Sequence, residues 1–344
     1  MKFLFYILIL FNANYILALQ QRVSPFNQKA IHIDSTGDYS FIVSGHFHGS
    51  STNLTGLPIN TILAHLDWIN ESDNCMLISL GDLFLDVSND IPQYEESFFS
   101  KLKKPMFNAV GNHDLTGTIY QDNFGETFFY WQINSDIHVV LDTELENGSL
   151  DGAQKKILEK VNELTKNGSI SNVFIYSHRT IWAKTYSELD LLFHDNTQSV
   201  LGNNFESDVL PLLNEMNTNS NVYWFSGSIG DAPASFFQFK DQNNIQYIAT
   251  AIRGLPRDAV LIVNVTQKGE VSFKTKSFTN QKLLDFEDYN VEFWNKNVGK
   301  KRPFNYRLIP LYIKQNILNP TFWYGFTIML LISLLFYWRR KKNV

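Results

Sequence analysis

The chain has 344 residues, 44% apolar and 18% charged, with a formal net charge of −5. That balance is ordinary for a globular protein and excludes a disordered one, while the lack of a basic excess speaks against nucleic-acid binding. Cys75 is the single cysteine, so no intrachain disulfide is possible, and within the apolar run Cys75–Leu80 it reads as core filler.

The first segment, residues 1–19, carries one cation (Lys2), then an apolar run, then Ala18 as a small residue. It is predicted to be a secretory signal cut near Ala18, or an uncleaved anchor because Asn12 and Asn14 interrupt the run. Short apolar strands then alternate with amphipathic helices, an α/β pattern. Strands are predicted at Phe41–Ser44, Met76–Leu80, Met106–Val110, Val173–Ser177 and Val222–Ser226. Helices are predicted at Ile59–Asn70, Tyr94–Leu102, Gly152–Thr165 and Val209–Met216, each with its apolar residues on one face. Thr127–Asp142 reads as a hairpin turning at Asn134-Ser135-Asp136, and Ala234 to Phe273 as four further strands.

Residues 278–320 are mixed and aromatic-rich, a packed connector rather than a free linker. Residues 321–338 hold no charge and are aromatic at both ends, and residues 339–344 open with Arg339-Arg340-Lys341-Lys342. Eighteen residues lie near the lower limit for a bilayer span, and Trp323, Tyr324, Tyr337 and Trp338 suit the interfacial belts. The expected topology is a single-pass membrane protein with its body on the extracytoplasmic side and a short cytoplasmic tail. Sequons at Asn53, Asn70, Asn147, Asn167 and Asn264 do not separate a periplasm from a lumen.

The chemistry-bearing residues fall just beyond strand ends. His46 and His48 follow the first strand, Asp82 the second, Asn112, His113 and Asp114 the third, and His178 a later one. In open α/β sheets that edge is where loops converge on ligands, and His, Asp and Asn together there form a metal-site pattern. Arg179 is a candidate phosphate contact, whereas Arg253 and Arg257 are assigned structural roles. His32, His65, His138 and His194 lie outside any motif and read as core or surface residues.

These segments resemble the calcineurin-like metallophosphoesterases. LGDLF with Asp82, AVGNHD with Asn112 to Asp114, and FIYSHR with His178 match that family's Gly-Asp, Gly-Asn-His-Asp and lone-His motifs in order. The resemblance covers residues 38–277 and implies a four-layer α/β/β/α sandwich. It further implies one or two divalent ions (Mn, Fe, Zn or similar) on Asp82, Asn112 and His178, a phosphorylated substrate, and His113 as general acid with its tautomer fixed by Asp114. Two departures stand out. His46-Phe47-His48 replaces the family's Asp-x-His, which removes one negative charge while leaving both positions as candidate ligands. WFSGSIGD places Ser228 and Gly230 where two histidines belong, with Asp231 one residue on as a possible further carboxylate ligand. The implied activity is hydrolysis of a phosphate mono- or diester, lipid, nucleotide or glycan-linked. The alternative is a catalytically silent member that binds a phosphorylated ligand or a protein partner.

Overall fold

The computed structural model describes residues 22–33, 37–189, 192–193, 195–198, 202–230, 232–298 and 320–342. Among the described residues, eleven strands form two sheets. The first sheet contains β1 (Tyr39–Ser44), β2 (Met76–Ser79), β3 (Met106–Asn108), β10 (Ala259–Val265) and β11 (Val271–Ser277), in the order β11-β10-β1-β2-β3. The second contains β4 (Phe129–Ile133), β5 (Asp136–Val140), β6 (Asn172–Ser177), β7 (Asn221–Ser226), β8 (Phe236–Lys240) and β9 (Gln246–Thr250), in the order β4-β5-β6-β7-β9-β8. β1, β2 and β3 run parallel, as do β5, β6, β7 and β9, while β10, β11, β4 and β8 pair antiparallel at the flanks.

Strand alternation explains the layers. Phe41, Val43, Met76 and Ile78 of the first sheet share one cluster with Phe174, Tyr176 and Phe225 of the second, which is the core between the sheets. Ile42 and Leu77, on the opposite faces of their strands, pack with Ile62, Ile69, Val87, Phe98 and Phe99 from the helices outside the first sheet. Val173, Ile175 and Trp224 pack with Leu158, Val161, Leu213 and Met216 outside the second. Burial on both faces is why β1, β2 and β6 are nearly continuous apolar runs. Two face-to-face sheets with helices on both outer sides make the α/β/β/α sandwich that the resemblance implies.

The helix Gly152–Thr165 and the hairpin turn at Asn134 (φ 51°) stand where predicted. Two predicted helices differ. The helix expected over Ile59–Asn70 is split into Asn60–Leu63 and Leu66–Glu71. At the break His65 takes φ −109°, its ring bonds Thr61 O at 2.9 Å, and it stacks on Phe278 at 4.2 Å. The helix expected at Tyr94–Leu102 begins earlier, at Val87, because Asp86 caps it by accepting from Ser88 N; beyond Pro92 it widens into a π-helical turn at Glu95–Phe99.

The first compact unit continues through Val298. Helix Val291–Asn297 buries Trp294, whose indole nitrogen donates to Phe236 O at 2.9 Å while its ring meets Phe237 edge-on. Of the second unit, from Gly299, the described part is helix Pro320–Lys342. Among the described residues no helix is both long and apolar enough to cross a membrane. The predicted signal, residues 1–19, lies outside the described residues, as does Asp231.

Candidate metal centre

Because β1, β2, β3 and β6 run parallel within their sheets, their carboxyl ends deliver His46, His48, Asp82, the 111–114 loop and His178 to one edge. The backbone is forced there. His46 and Asp82 both sit in the left-handed region, at φ 58° and 52°, conformations that non-glycine residues hold only under constraint from their surroundings. His46 N donates to Gly81 O at 2.9 Å, tying the end of β1 to the end of β2. Gly81, at φ 87°, leaves the room this needs: a Cβ there would stand 2.5 Å from His178 Nδ1 and 2.6 Å from Ala109 O.

Asp82 Oδ2 is the focus of the site. It lies 3.2 Å from His46 Nδ1, 3.7 Å from His48 Nε2 and 3.5 Å from His178 Nε2. Two sets of three residues, His46–Asp82–His178 and His48–Asp82–His113, each bring one ligand atom per residue within 4.8 Å of one another, with Asp82 common to both. All are buried except His113, which is half-buried.

Tautomers follow from the hydrogen bonds. His178 Nδ1 lies 2.8 Å from Leu80 O and His113 Nδ1 lies 2.9 Å from Leu85 O. A carbonyl only accepts, so each Nδ1 carries its proton and, in the neutral ring, each Nε2 has a lone pair. His178 Nε2 thus faces an acceptor oxygen of Asp82, and in the neutral ring that is a lone pair against a carboxylate, a pairing that calls for a cation. Among the described residues, His46 Nε2 and His48 Nδ1 have no hydrogen-bond partner, and His46 Nδ1 and His48 Nε2 face only Asp82 Oδ2, although both residues are buried. Burial, against the pull of Asp82, holds His46 well below the usual histidine range and also lowers His48, so both rings are neutral, as metal ligands must be. Burial would raise Asp82; the positive charge that His178, His46 and His48 carry when protonated holds it well below the carboxylate range, and with the rings neutral a bound cation takes over that part. A buried anion ringed by neutral imidazoles with orphaned nitrogens fits one or two divalent ions, with Asp82 as the shared ligand.

The remaining predicted residues are placed otherwise. Asn112 is exposed and makes no hydrogen bond among the described residues, so in this arrangement it stands outside the buried cluster. Asp114 is a correction to the reading that it fixes His113. It is fully buried and accepts from Phe84 N at 3.0 Å, Gly111 N at 2.9 Å and Asn108 Nδ2 at 3.2 Å, while the His113 ring is oriented by Leu85 O. Its carboxyl, pushed up to about 6 by burial and by Asp82, holds two loops together. Arg179 is a second correction: Nε and Nη2 donate to the two Glu144 oxygens at 2.8 and 2.5 Å, a bidentate pair that occupies the fork a phosphate would need.

At the last motif, Gly227 N and Ser228 N both donate to His178 O, at 2.9 and 2.8 Å, and Ser228 is buried. Gly230 O accepts from Arg253 Nη1 at 2.9 Å. Arg253 is the residue that sequence reasoning placed in the scaffold and the structure brings to the site edge, where its charge lowers the pKa of both His46 and His48. The available signal was its place just past the end of β9, the same kind of position as the histidines.

No protein-family model matches the sequence, and a search of curated proteins gives no match. Among solved structures, the chain is similar to a dimetal phosphatase from Danio rerio, with 11% identity over 70% of this chain and 99% of that one and a TM-score of 0.46. It is also similar to a purple acid phosphatase from yellow lupin seeds, with 11% identity over 75% of this chain and 55% of that one and a TM-score of 0.45. Vps29 from Chaetomium thermophilum is 9% identical over 69% of this chain and 97% of that one, with a TM-score of 0.29. Likeness of this order is too distant to carry function across. The two facing sheets flanked by helices, with the motifs in order along them, are the α/β/β/α arrangement that the resemblance in the sequence implies.

Proposed function

We propose that this chain is a metal-dependent phosphoesterase, tethered to a membrane, that hydrolyses a phosphate mono- or diester at the Asp82 cluster. The observation that carries the reading is the pair of His/Asp triads sharing Asp82, with His46 Nε2 and His48 Nδ1 buried and without a hydrogen-bond partner among the described residues. His46, His48, Asp82 and His178 are the proposed ligands, with Asn112 reaching them only if its exposed side chain turns inward. A divalent ion in such a site supplies Lewis acidity, lowering the pKa of water and offsetting phosphoryl charge. His113 contributes the proton: Leu85 O fixes its Nδ1–H and leaves Nε2 at the mouth of the cluster, where a protonated ring would donate to the leaving oxygen. Asp82 Oδ1 accepts from His113 N at 3.2 Å and so fixes the main chain that carries the ring.

The test is metal content and turnover together. The purified protein is expected to retain Mn, Fe or Zn and to hydrolyse 4-nitrophenyl phosphate, with Asp82→Asn losing both metal and activity and His113→Ala losing activity with metal kept. Protein without metal and without turnover after Mn²⁺ addition overturns the reading. One alternative has specific support, a catalytically silent protein that binds a phosphorylated ligand or partner. Gly230 brings no side-chain donor to its motif position, and Asn112 is turned outward.

The tether is proposed at residues 321–338. Its support is a continuous helix from Pro320 to Lys342 that exposes Trp323, Tyr324, Ile328, Met329 and Leu331, followed by the basic tail. The proposed orientation puts the catalytic body on the extracytoplasmic side, after export directed by residues 1–19. Membrane fractions washed with alkaline carbonate should keep the full chain and release a version truncated before residue 320; full extraction of the intact chain refutes the tether.

A further inference from the structure

A cavity of about 300 Å³ opens beside the histidine cluster. It is part of the same construction as the cluster. Ile59 N in its wall donates to Phe47 O at 2.9 Å, between His46 and His48, and Asn53 Nδ2 donates to His48 O at 2.8 Å and Leu57 O at 2.9 Å. The opposite wall is pinned by Asp258, fully buried, which accepts from Arg253 N at 3.0 Å, Gly254 N at 2.8 Å and Thr61 Oγ1 at 2.8 Å. Both walls are thus fixed by hydrogen bonds before any ligand arrives.

The lining selects among ligand classes. Ser50, Thr52, Asn53, Thr55, Asn60 and Thr61 bring hydroxyls and amides to it, beside a comparable apolar surface, with Arg253 as its one charged side chain. Among the described residues no aromatic ring lines it, so it offers no platform on which a nucleobase would stack. The apolar part is the short run Leu57-Pro58-Ile59, too little to receive an acyl chain. The volume is at the low end of small-molecule pockets, roughly 300–1,000 Å³, which suits one ring or a three-carbon unit. Arg253 stands where cavity and cluster meet. Its Nη1 is held by Gly230 O, while Nε and Nη2 make no hydrogen bond among the described residues. Those two donors have the paired geometry that matches phosphoryl oxygens.

We propose that this cavity receives the alcohol half of the substrate, a small polyol such as a sugar or a glycerol-type group, and that Arg253 holds a phosphoryl oxygen between cavity and cluster. The assignment rests on the phosphoesterase reading above. Hydrolysis would leave the polyol, with its regained proton, in the cavity and phosphate at the histidines. A free sugar phosphate and a phosphorylated lipid headgroup present the same chemistry to this cavity.

The experiment uses the full chain in detergent with Mn²⁺ and compares glucose 6-phosphate, glycerol 3-phosphate, adenosine monophosphate and 4-nitrophenyl phosphate. Two variants are read: Arg253→Gln, and Asn60→Glu, an exposed residue in the first turn of its helix where an acidic group is compatible with the fold. Arg253→Gln should lower kcat/KM at least tenfold for every substrate, because the phosphoryl group is common to all four, whereas Asn60→Glu should lower it for the polyol phosphates at least tenfold more than for 4-nitrophenyl phosphate, and through KM. Phosphate release from vesicles containing phosphatidylglycerol phosphate, exceeding that from glycerol 3-phosphate, assigns the headgroup as the source; the reverse assigns the free ester. Equal losses on all substrates in Asn60→Glu, unchanged rates in Arg253→Gln, or adenosine monophosphate as the best substrate overturn the proposal. If nothing is hydrolysed, calorimetry with glucose 6-phosphate decides separately. Binding that both variants abolish keeps the cavity assignment and sinks the hydrolase reading, while absent or variant-insensitive binding overturns the assignment.

Discussion

Replacing Gly227 by alanine should damage the fold and the metal centre through a single carbonyl. A Cβ at Gly227 would stand 2.0 Å from Leu80 O and 2.7 Å from Leu80 Cβ, where ordinary contact begins at 3.4 Å. The shift required is therefore about 1.4 Å, and the obstructing atoms are backbone at the end of β2, which cannot rotate away. Overpacking of this kind costs about 3 kcal/mol. Leu80 O is also the acceptor of His178 Nδ1 at 2.8 Å, so moving it gives up a hydrogen bond worth about 1 kcal/mol and releases the ring from its orientation. The expected total is about 4 kcal/mol, which for a domain of this size lowers Tm by roughly 8 °C. Urea denaturation with metal analysis of the purified variant checks both halves. A midpoint within about 0.5 kcal/mol of wild type, with metal content unchanged, refutes the reasoning.

Three further outcomes are expected. His138, fully buried against Trp131, receives a hydrogen bond from the Tyr176 hydroxyl at 2.9 Å and gives one to Tyr39 at 3.1 Å, since Tyr39 donates to Asp136. Burial pushes it down to about 3, so the unfolded chain binds the proton first, and stability present above pH 6.5 is lost as pH falls toward 3. Between pH 6.5 and 5 that is about 2 kcal/mol, and His138→Gln should flatten the acid limb of the urea midpoint by that amount, whereas an unchanged slope refutes it. Trp294→Ala should cost about 3–5 kcal/mol, because it removes a fully buried indole and its bond to Phe236 O; a loss under 1 kcal/mol would show that helix Val291–Asn297 is dispensable. Cys75 is half-buried, its thiol pushed up to about 12 by the surrounding apolar groups, so it should react slowly with iodoacetamide at pH 8 in the folded protein and faster once urea is added; equal rates in the two states refute the raised pKa.

The motifs were legible wherever the chemistry is local. Asp82, His113 and His178 each follow an apolar strand directly, and a strand end next to a ligand-type residue is visible in a short window. Helix Gly152–Thr165 was equally plain, since its apolar spacing is carried on one face and nothing interrupts it. What the sequence hid depends on distant partners. Arg179 meets Glu144 across 35 positions, and Asp258 reaches Thr61 across 197. Asp114 looks like a catalytic partner because it adjoins His113, yet its acceptors' demands are met by main-chain N–H groups from two loops, a role no motif announces. The early start of the helix at Val87 is readable in principle from Asp86 as its cap, although Pro92, a poor residue inside a helix, masks the pattern.

The Asp82 cluster also spans the seam between the sheets: His46, His48 and Asp82 come from the first, His178 from the second. An ion held by all four is a tie across that seam, and it has no binding site until both sheets have formed and docked. Such an ion can retard the separation of the sheets but has nothing to act on while either one is assembling. Its stabilisation, about 2.7 kcal/mol at a hundredfold excess over Kd, should accordingly be found in a slower unfolding rate and leave the refolding rate untouched. Metal supply would then set how long the folded protein lasts rather than how fast it is made.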